Sequence, residues 1–196
     1  MLYSVAGSSC SGKSTAARAC AGLDRLAVHD FDEIGVPSAA DMRWRHESLE
    51  WWLGRVLDYQ ARGIDTLLTG QSPLGEILAA PSAVHLDGLS TCLLDVADDE
   101  RLARLRRRDP GRWSPEAEHA FVGWARWHRG HAADPRHRPE VLTEGGWSGM
   151  VWERWSGWER GDPRWTVPII DTTGRAPAET AADLAAWIGS SGVSRS

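Results

Sequence analysis

Nine consecutive residues, Gly7-Ser8-Ser9-Cys10-Ser11-Gly12-Lys13-Ser14-Thr15, follow an apolar run and open a stretch of small residues. They match the spacing G-x-x-x-x-G-K-[ST]. Glycines at the two fixed positions let the backbone fold into a nest whose N–H groups converge on one anion. The positive end of the following helix reinforces that field. In such a nest Lys13 reaches the outer phosphates of a polyphosphate chain, and the Ser14 hydroxyl ligates Mg²⁺. Cys10 falls at a variable position of the motif and reads as filler rather than as a nucleophile.

Usage of basic residues supports this reading independently. Of the 22 Lys and Arg residues, Lys13 is the only lysine. A compact ammonium fits between phosphate oxygens where a planar guanidinium does not, so arginine usage is broken at the one place the chemistry demands it. Asparagine is absent. That excludes N-glycosylation, and it excludes the protein-kinase plan, which needs a second lysine on a strand and a metal-binding Asn. It also excludes the Asn-Lys-x-Asp segment with which Ras-type GTPases read guanine.

A second cluster, His29-Asp30-Phe31-Asp32-Glu33-Ile34-Gly35, ends the second expected strand. In an open α/β sheet, ligands sit beyond the carboxyl ends of the strands, so these acids should face the phosphate loop. A carboxylate there can orient a hydroxyl and accept its proton as a phosphoryl group moves. In these features the chain resembles the small P-loop phosphotransferases, the nucleoside- and nucleotide-kinase-like group with chloramphenicol phosphotransferase, polynucleotide 5′-kinase and zeta toxin. The resemblance implies ATP and Mg²⁺ as cofactors. It implies that Asp32 is the base, with Asp30 as the alternative or as a partner on the substrate and metal-water side. It further implies a lid whose arginines clamp the phosphates, drawn from Arg104, Arg107, Arg108 and Arg112, and a turn, Asp171 to Arg175 with Thr172, lying against adenine. The chain departs from the group at Thr66-Leu67-Leu68-Thr69-Gly70-Gln71, where many members carry a metal-side acid. Gln71 is expected to bind the substrate instead. Arg43 and Arg45, beside Trp44, Trp51 and Trp52, are expected to hold an acceptor anion.

The elements that must position these residues follow from periodicity. Strands are expected at Leu2–Ala6, Arg25–His29, Ile64–Thr69, Leu89–Val96 and Val167–Ile170. Helices are expected from Ser14 to Ala21, between Ala39 and Arg62 on the spacing of Leu49, Trp52, Leu53, Val56 and Leu57, at Leu74–Ala79, at Asp98–Arg108 with Asp98 or Asp99 as cap, and at Pro177–Ile188. The alternation gives an α/β fold: a three-layer sandwich of the P-loop NTPase type, with a five-stranded parallel sheet and helices on both faces. Residues 1–196 are expected to form one domain. Residues 113–165, which hold eight of the twelve tryptophans, are expected to form a mostly helical lid or acceptor-binding insertion within it. Trp152, Trp155 and Trp158 recur every third residue, so they should share a helix face, either as a stacking surface or as the core of a lobe poor in leucine and isoleucine. His128, His131 and His137 lack the spacing of a zinc site.

The remaining arithmetic bounds the partners. A chain of 196 residues can bury ~70% of its unfolded surface, and its 42% hydrophobic content is that of a globular protein. Three scattered cysteines make no disulfide framework, and no apolar run is long enough for a membrane span, so a cytoplasmic protein is expected. The net charge of −5 argues against a nucleic-acid-coating role, although Arg101 to Arg138 holds ten arginines against four acids. The expected activity, implied by the resemblance, is ATP- and Mg²⁺-dependent transfer of the γ-phosphoryl group to a small-molecule hydroxyl, on a natural product, an antibiotic or a nucleoside. A 5′-hydroxyl nucleic-acid or nucleotide kinase, and a non-catalytic ATP-binding module with a protein partner, are the alternatives. No segment carries a signature of oligomeric state.

Overall fold

Side chains on successive residues of a strand point to opposite faces, and the first strand, β1 (Leu2–Ala6), divides the core accordingly. Tyr3 and Val5 pack on one side against Ala16, Ala17, Leu184 and Ile188, whereas Leu2 packs on the other against Leu49, Leu53 and Val56. All five residues of β1 are buried, as expected for the centre of a sheet covered on both faces. The computed structural model describes residues 1–192. After β1 come α1 (Lys13–Ala19), β2 (Leu26–Asp30), α2 (Met42–Gln60), β3 (Asp65–Thr69), α3 (Leu74–Ala79), β4 (Leu89–Asp95) and α4 (Asp98–Arg108). Then follow α5 (Pro115–Ala133), α6 (Glu140–Thr143), β5 (Ile169–Asp171) and α7 (Pro177–Gly192). The strands form one parallel sheet in the order β2-β3-β1-β4-β5. Helices α1 and α7 cover one face, and α2 and α3 the other. The expected three-layer α/β sandwich is therefore present, and β1 carries its loop to the middle of the sheet's carboxyl edge. No helix among the described residues is long and apolar enough to cross a membrane.

Two local expectations are corrected. Helix α4 is capped by Ala97, without a side-chain hydrogen bond. Asp98 lies in its first turn, where Arg126 and Arg129 of α5 hold the carboxylate. A carboxylate gains more from two guanidiniums than from a backbone N–H, so the cap is given up to the interhelix pairing. The tryptophan-rich stretch is helical only in its first half. Trp152, Trp155 and Trp158 share no helix. A single 3₁₀ turn, Trp152–Arg154, is followed by irregular chain. Gly157, Gly161, Pro163 and Pro168 interrupt any longer helix there.

These tryptophans build a satellite core. Trp155 and Trp165 are buried with Leu74, and Trp158 and Val167 pack against them. Each buried indole N–H finds a carbonyl: Trp155 donates to Gly75 at 2.7 Å, Trp165 to His131 at 3.0 Å and Trp127 to Arg138 at 3.1 Å. His131 stacks on Trp127 with centroids 4.8 Å apart, and His128 stands edge-on to Trp124 and Trp127. Both imidazoles are buried. Desolvation pushes His131 down to about 4 and His128 well below its ordinary value, where nearby cations, Arg45 first among them, add to the effect. Unfolded histidine titrates near ~6.5, so between that pH and about 4 the unfolded chain takes up protons that folded His131 refuses, and stability must fall as pH falls through this window. His131 alone should remove roughly 2 kcal/mol at about pH 5. The urea midpoint should drop correspondingly between neutral pH and pH ~5, and His131→Phe should flatten that dependence.

Candidate active site

The loop between β1 and α1 is held from three sides. Gly7 has φ 150°, and a Cβ there would collide with the Leu94 carbonyl of β4, so only glycine lets the loop leave the sheet this close to its neighbour. Gly12 caps α1 with φ 92°, in the left-handed region. Lys13 folds back over the loop, its Nζ donating to the Gly7 carbonyl at 2.6 Å and the Ser8 carbonyl at 3.1 Å. Desolvation lowers Lys13 to about 8. Arg101 pushes in the same direction, and Asp30 and Asp32 oppose it. The Ser8 hydroxyl donates to the Phe121 carbonyl of α5 at 3.0 Å.

Arg101 is the tether that the sequence did not disclose. It is fully buried, donates through Nη1 to the Ser9 carbonyl at 2.5 Å, and pairs through Nη2 with Asp95 at the end of β4. Arg129 of α5 also pairs with Asp95, at 2.8 Å. The guanidinium therefore joins loop, sheet and α5 at one point. The only sequence signal was an aspartate ending a strand six residues before an arginine.

The acids at the end of β2 take different positions. Asp30 caps the 3₁₀ turn Phe31–Ile34 in a capping box with Glu33. Its Oδ2 accepts from the Ser14 hydroxyl at 2.5 Å and from the Thr69 hydroxyl at 2.9 Å. The acid missing from β3 is thus supplied by β2, and Thr69, on the third strand, orients it. Among the described residues the Asp32 side chain has no hydrogen-bond partner. Burial and the charge of Asp30 raise its pKa, with Lys13 opposing.

Lys13, Ser14, Thr15, Asp30, Asp32, Ser9, Cys10 and Gly12 all line one cavity of about 610 Å³, a size usual for small-molecule sites. Gly70, Gln71, Arg104, Arg107, Arg108, Arg175 and Thr172 also line it. The arginines divide sharply. Arg104 is fully engaged: it pairs with Glu100 at 2.6 Å and donates to the Thr172 carbonyl at 2.7 Å, the Thr172 hydroxyl at 3.0 Å and the Cys10 carbonyl at 3.3 Å. It straps the loop to the turn after β5. Arg108 is exposed beside Asp109, and Arg107 faces the cavity with no carboxylate partner among the described residues. Arg112 lies outside the cavity lining, its guanidinium over the Trp113 ring at 4.8 Å.

On the expected acceptor side the arginines are engaged as well. Arg43 is exposed and pairs with Glu47 at 2.8 Å, away from the cavity. Arg45 is bound by the fully buried Glu76, through Nε at 2.7 Å and Nη2 at 2.5 Å, and donates to the Gln71 carbonyl at 2.6 Å. Its charge is compensated in place. Thr172 supports the loop from behind, its hydroxyl donating to the Ser11 carbonyl at 3.2 Å.

No protein-family model matches the chain, and no curated protein matches its sequence. Solved structures do match. A sugar kinase from Janibacter sp. HTCC2649 superposes with a TM-score of 0.60 at 14% identity, over 96% of this chain and 94% of the other. Thymidylate kinase from Candida albicans superposes with a TM-score of 0.54 at 13% identity, over 97% and 91%. At such identities the likeness establishes the fold alone, a parallel α/β sandwich that this chain shares with these two kinases.

Arg101→Met should leave Asp95 with half its countercharge and the Ser9 carbonyl without its donor. Breaking one partner from a buried pair of this kind typically costs about 3 kcal/mol. The loss should register in urea unfolding, and Arg104→Met, at a more exposed pair, should cost less.

Proposed function

We propose that the chain is a kinase that uses ATP and Mg²⁺ to phosphorylate a hydroxyl of a small, uncharged acceptor. One arrangement carries the reading: a phosphate-type loop with its lysine, a hydroxyl–carboxylate pair and an unengaged, proton-accepting carboxylate all line one cavity. The loop amides and Lys13 bind the β- and γ-phosphates. Ser14 and Asp30 offer adjacent hard oxygen donors of the kind Mg²⁺ takes, and they would hold it. An ion held there would supply positive charge to offset that of the transferring phosphate.

Asp32 is the base. Its carboxylate is free to accept a hydrogen bond from the acceptor hydroxyl, and burial and the charge of Asp30 raise its affinity for that proton. The acceptor oxygen forms a bond to the γ-phosphorus as the bond to the β-bridging oxygen breaks. The hydroxyl proton passes to Asp32, and ADP leaves. Arg107 and Arg108 neutralise charge on the transferring group, while Arg104 positions the loop. The position of Arg43 outside the cavity, and the hold of the buried Glu76 on Arg45, support an acceptor without a phosphate or carboxylate. That favours a hydroxylated small molecule over a nucleotide or a nucleic-acid end.

Asp32→Asn should lower kcat by about 10²–10⁴ while ATP affinity stays within about twofold, since only proton transfer is lost. Lys13→Ala should abolish turnover together with tight nucleotide binding. In the unsubstituted protein nucleotide affinity should decline as pH rises through about 8, where the free Lys13 ammonium loses its proton. A screen of neutral hydroxyl compounds for ATP-dependent gain of one phosphoryl group by mass spectrometry tests the reading directly. If only phosphorylated or nucleic-acid acceptors are modified, the acceptor assignment is wrong. If ATP binds and Asp32→Asn changes no turnover, the assignment of the base is wrong.

A further inference from the structure

A second cavity of about 590 Å³ lies on the far side of the 3₁₀ turn that carries Asp32, and it shares no lining residue with the first. One wall is a stripe along α2, Glu47, Trp51 and Arg55, spaced at i, i+4 and i+8 and therefore aligned on one helix face. The opposite wall is His29, Glu33 and Ile34. Trp51 is 52% exposed, among the few large apolar side chains left so open. It is nonetheless fixed: its ring stands edge-on to Trp52 at 5.1 Å, and Trp52 is buried with its indole N–H donating to the Phe31 carbonyl at 3.1 Å. An exposed indole on a rigid support is a preorganised flat surface rather than a fluctuating side chain.

The charged groups around it are all partnered. Glu33 faces His29 at 2.8 Å, Glu47 pairs with Arg43 at 2.8 Å, and Arg55 lies 3.7 Å from Asp58. Each carboxylate and guanidinium beside the indole already has a partner, so none is left free for an ion. It offers carboxylate and guanidinium groups at both ends of a flat apolar surface, in exposed pairs whose internal attraction is weak and easily exchanged. Such groups bind vicinal hydroxyls in bidentate fashion, and the C–H face of a saturated ring packs on an indole.

We propose that this groove binds a neutral, polyhydroxylated ring of the pyranoside type, with the ring over Trp51 and its hydroxyls on Glu47, Arg55 and Glu33. The site stands independently of the kinase reading, because it uses none of the phosphate-cavity residues. It is nonetheless mechanically connected to that cavity. Glu33 also accepts from the backbone N–H of Asp30 at 2.9 Å, so a ligand that draws on Glu33 acts on the turn holding both acids.

Indole N–H signals of the ¹⁵N-labelled protein provide the test, the Trp51 signal being the one absent in Trp51→Ala. Methyl gluco-, galacto- and mannopyranosides are titrated, with uridine, choline and inorganic phosphate as comparators. At least one pyranoside should shift the Trp51 signal saturably, and Trp51→Ala and Arg55→Ala should each weaken that binding by about tenfold or more. Both residues are exposed, so the variants should keep the fold. Lys13→Ala, which disables the phosphate cavity, should leave pyranoside binding unchanged, so failure of one site is distinguishable from failure of the other. The proposal is overturned if no pyranoside moves the Trp51 signal, if only a comparator does, or if binding survives Trp51→Ala undiminished.

Discussion

A guanidinium with no contact to solvent must have its charge answered within the protein, and at Arg101 that requirement organises the carboxyl edge of the sheet. Asp95 supplies the countercharge from the sheet and the Ser9 carbonyl takes a remaining N–H, so the loop cannot move without exposing an unpaired donor. Arg129 then brings α5 to the same carboxylate, and Asp98 brings it to α4. The cationic middle of the chain is thus bound largely to its own acids. What looks in one dimension like a basic stretch is in three dimensions a set of ion pairs, with only a few guanidiniums left facing the cavity.

The cavity itself gathers both signs of charge. Lys13, five arginines and the two carboxylates all line it, with Asp30 against Ser14 and Arg104 against the Cys10 carbonyl. Asp30 and Asp32 are two residues apart yet differ in environment. One is held by two hydroxyls and a turn, the other is partly desolvated and unengaged. Environments that separate two like groups in this way are how one chain assigns them different tasks.

The layout of the sheet was legible because buried parallel strands are short apolar runs and their boundaries are set by turn residues. Strand β2 and helices α2 to α4 fall within a few residues of where periodicity puts them. The loop was legible because its function needs particular residues at fixed spacing. Arg104, Arg43 and Arg45 were read as ligand-facing because a sequence shows a charge but not its partner. Their partners, Glu100, Glu47 and Glu76, come into view only once the chain is folded. Arg101 escaped for the same reason, and the tryptophan segment was read as helix because i, i+3 spacing suits a 3₁₀ turn as well as a longer helix. Thr69 gave no signal alone, since it acts only by holding Asp30.

The ammonium of Lys13 has one further property. An amine whose pKa lies at about 8 is deprotonated in about a tenth of the molecules at neutral pH, far more than an ordinary lysine. In most proteins such an amine competes with many others for acylating reagents and for acetyl donors. Here no other lysine exists to dilute the reaction. Lysine acylation of this protein is therefore a single-site event that falls at the start of α1. The competing amine is the Met1 α-amino group, which Asp65 holds at 2.6 Å.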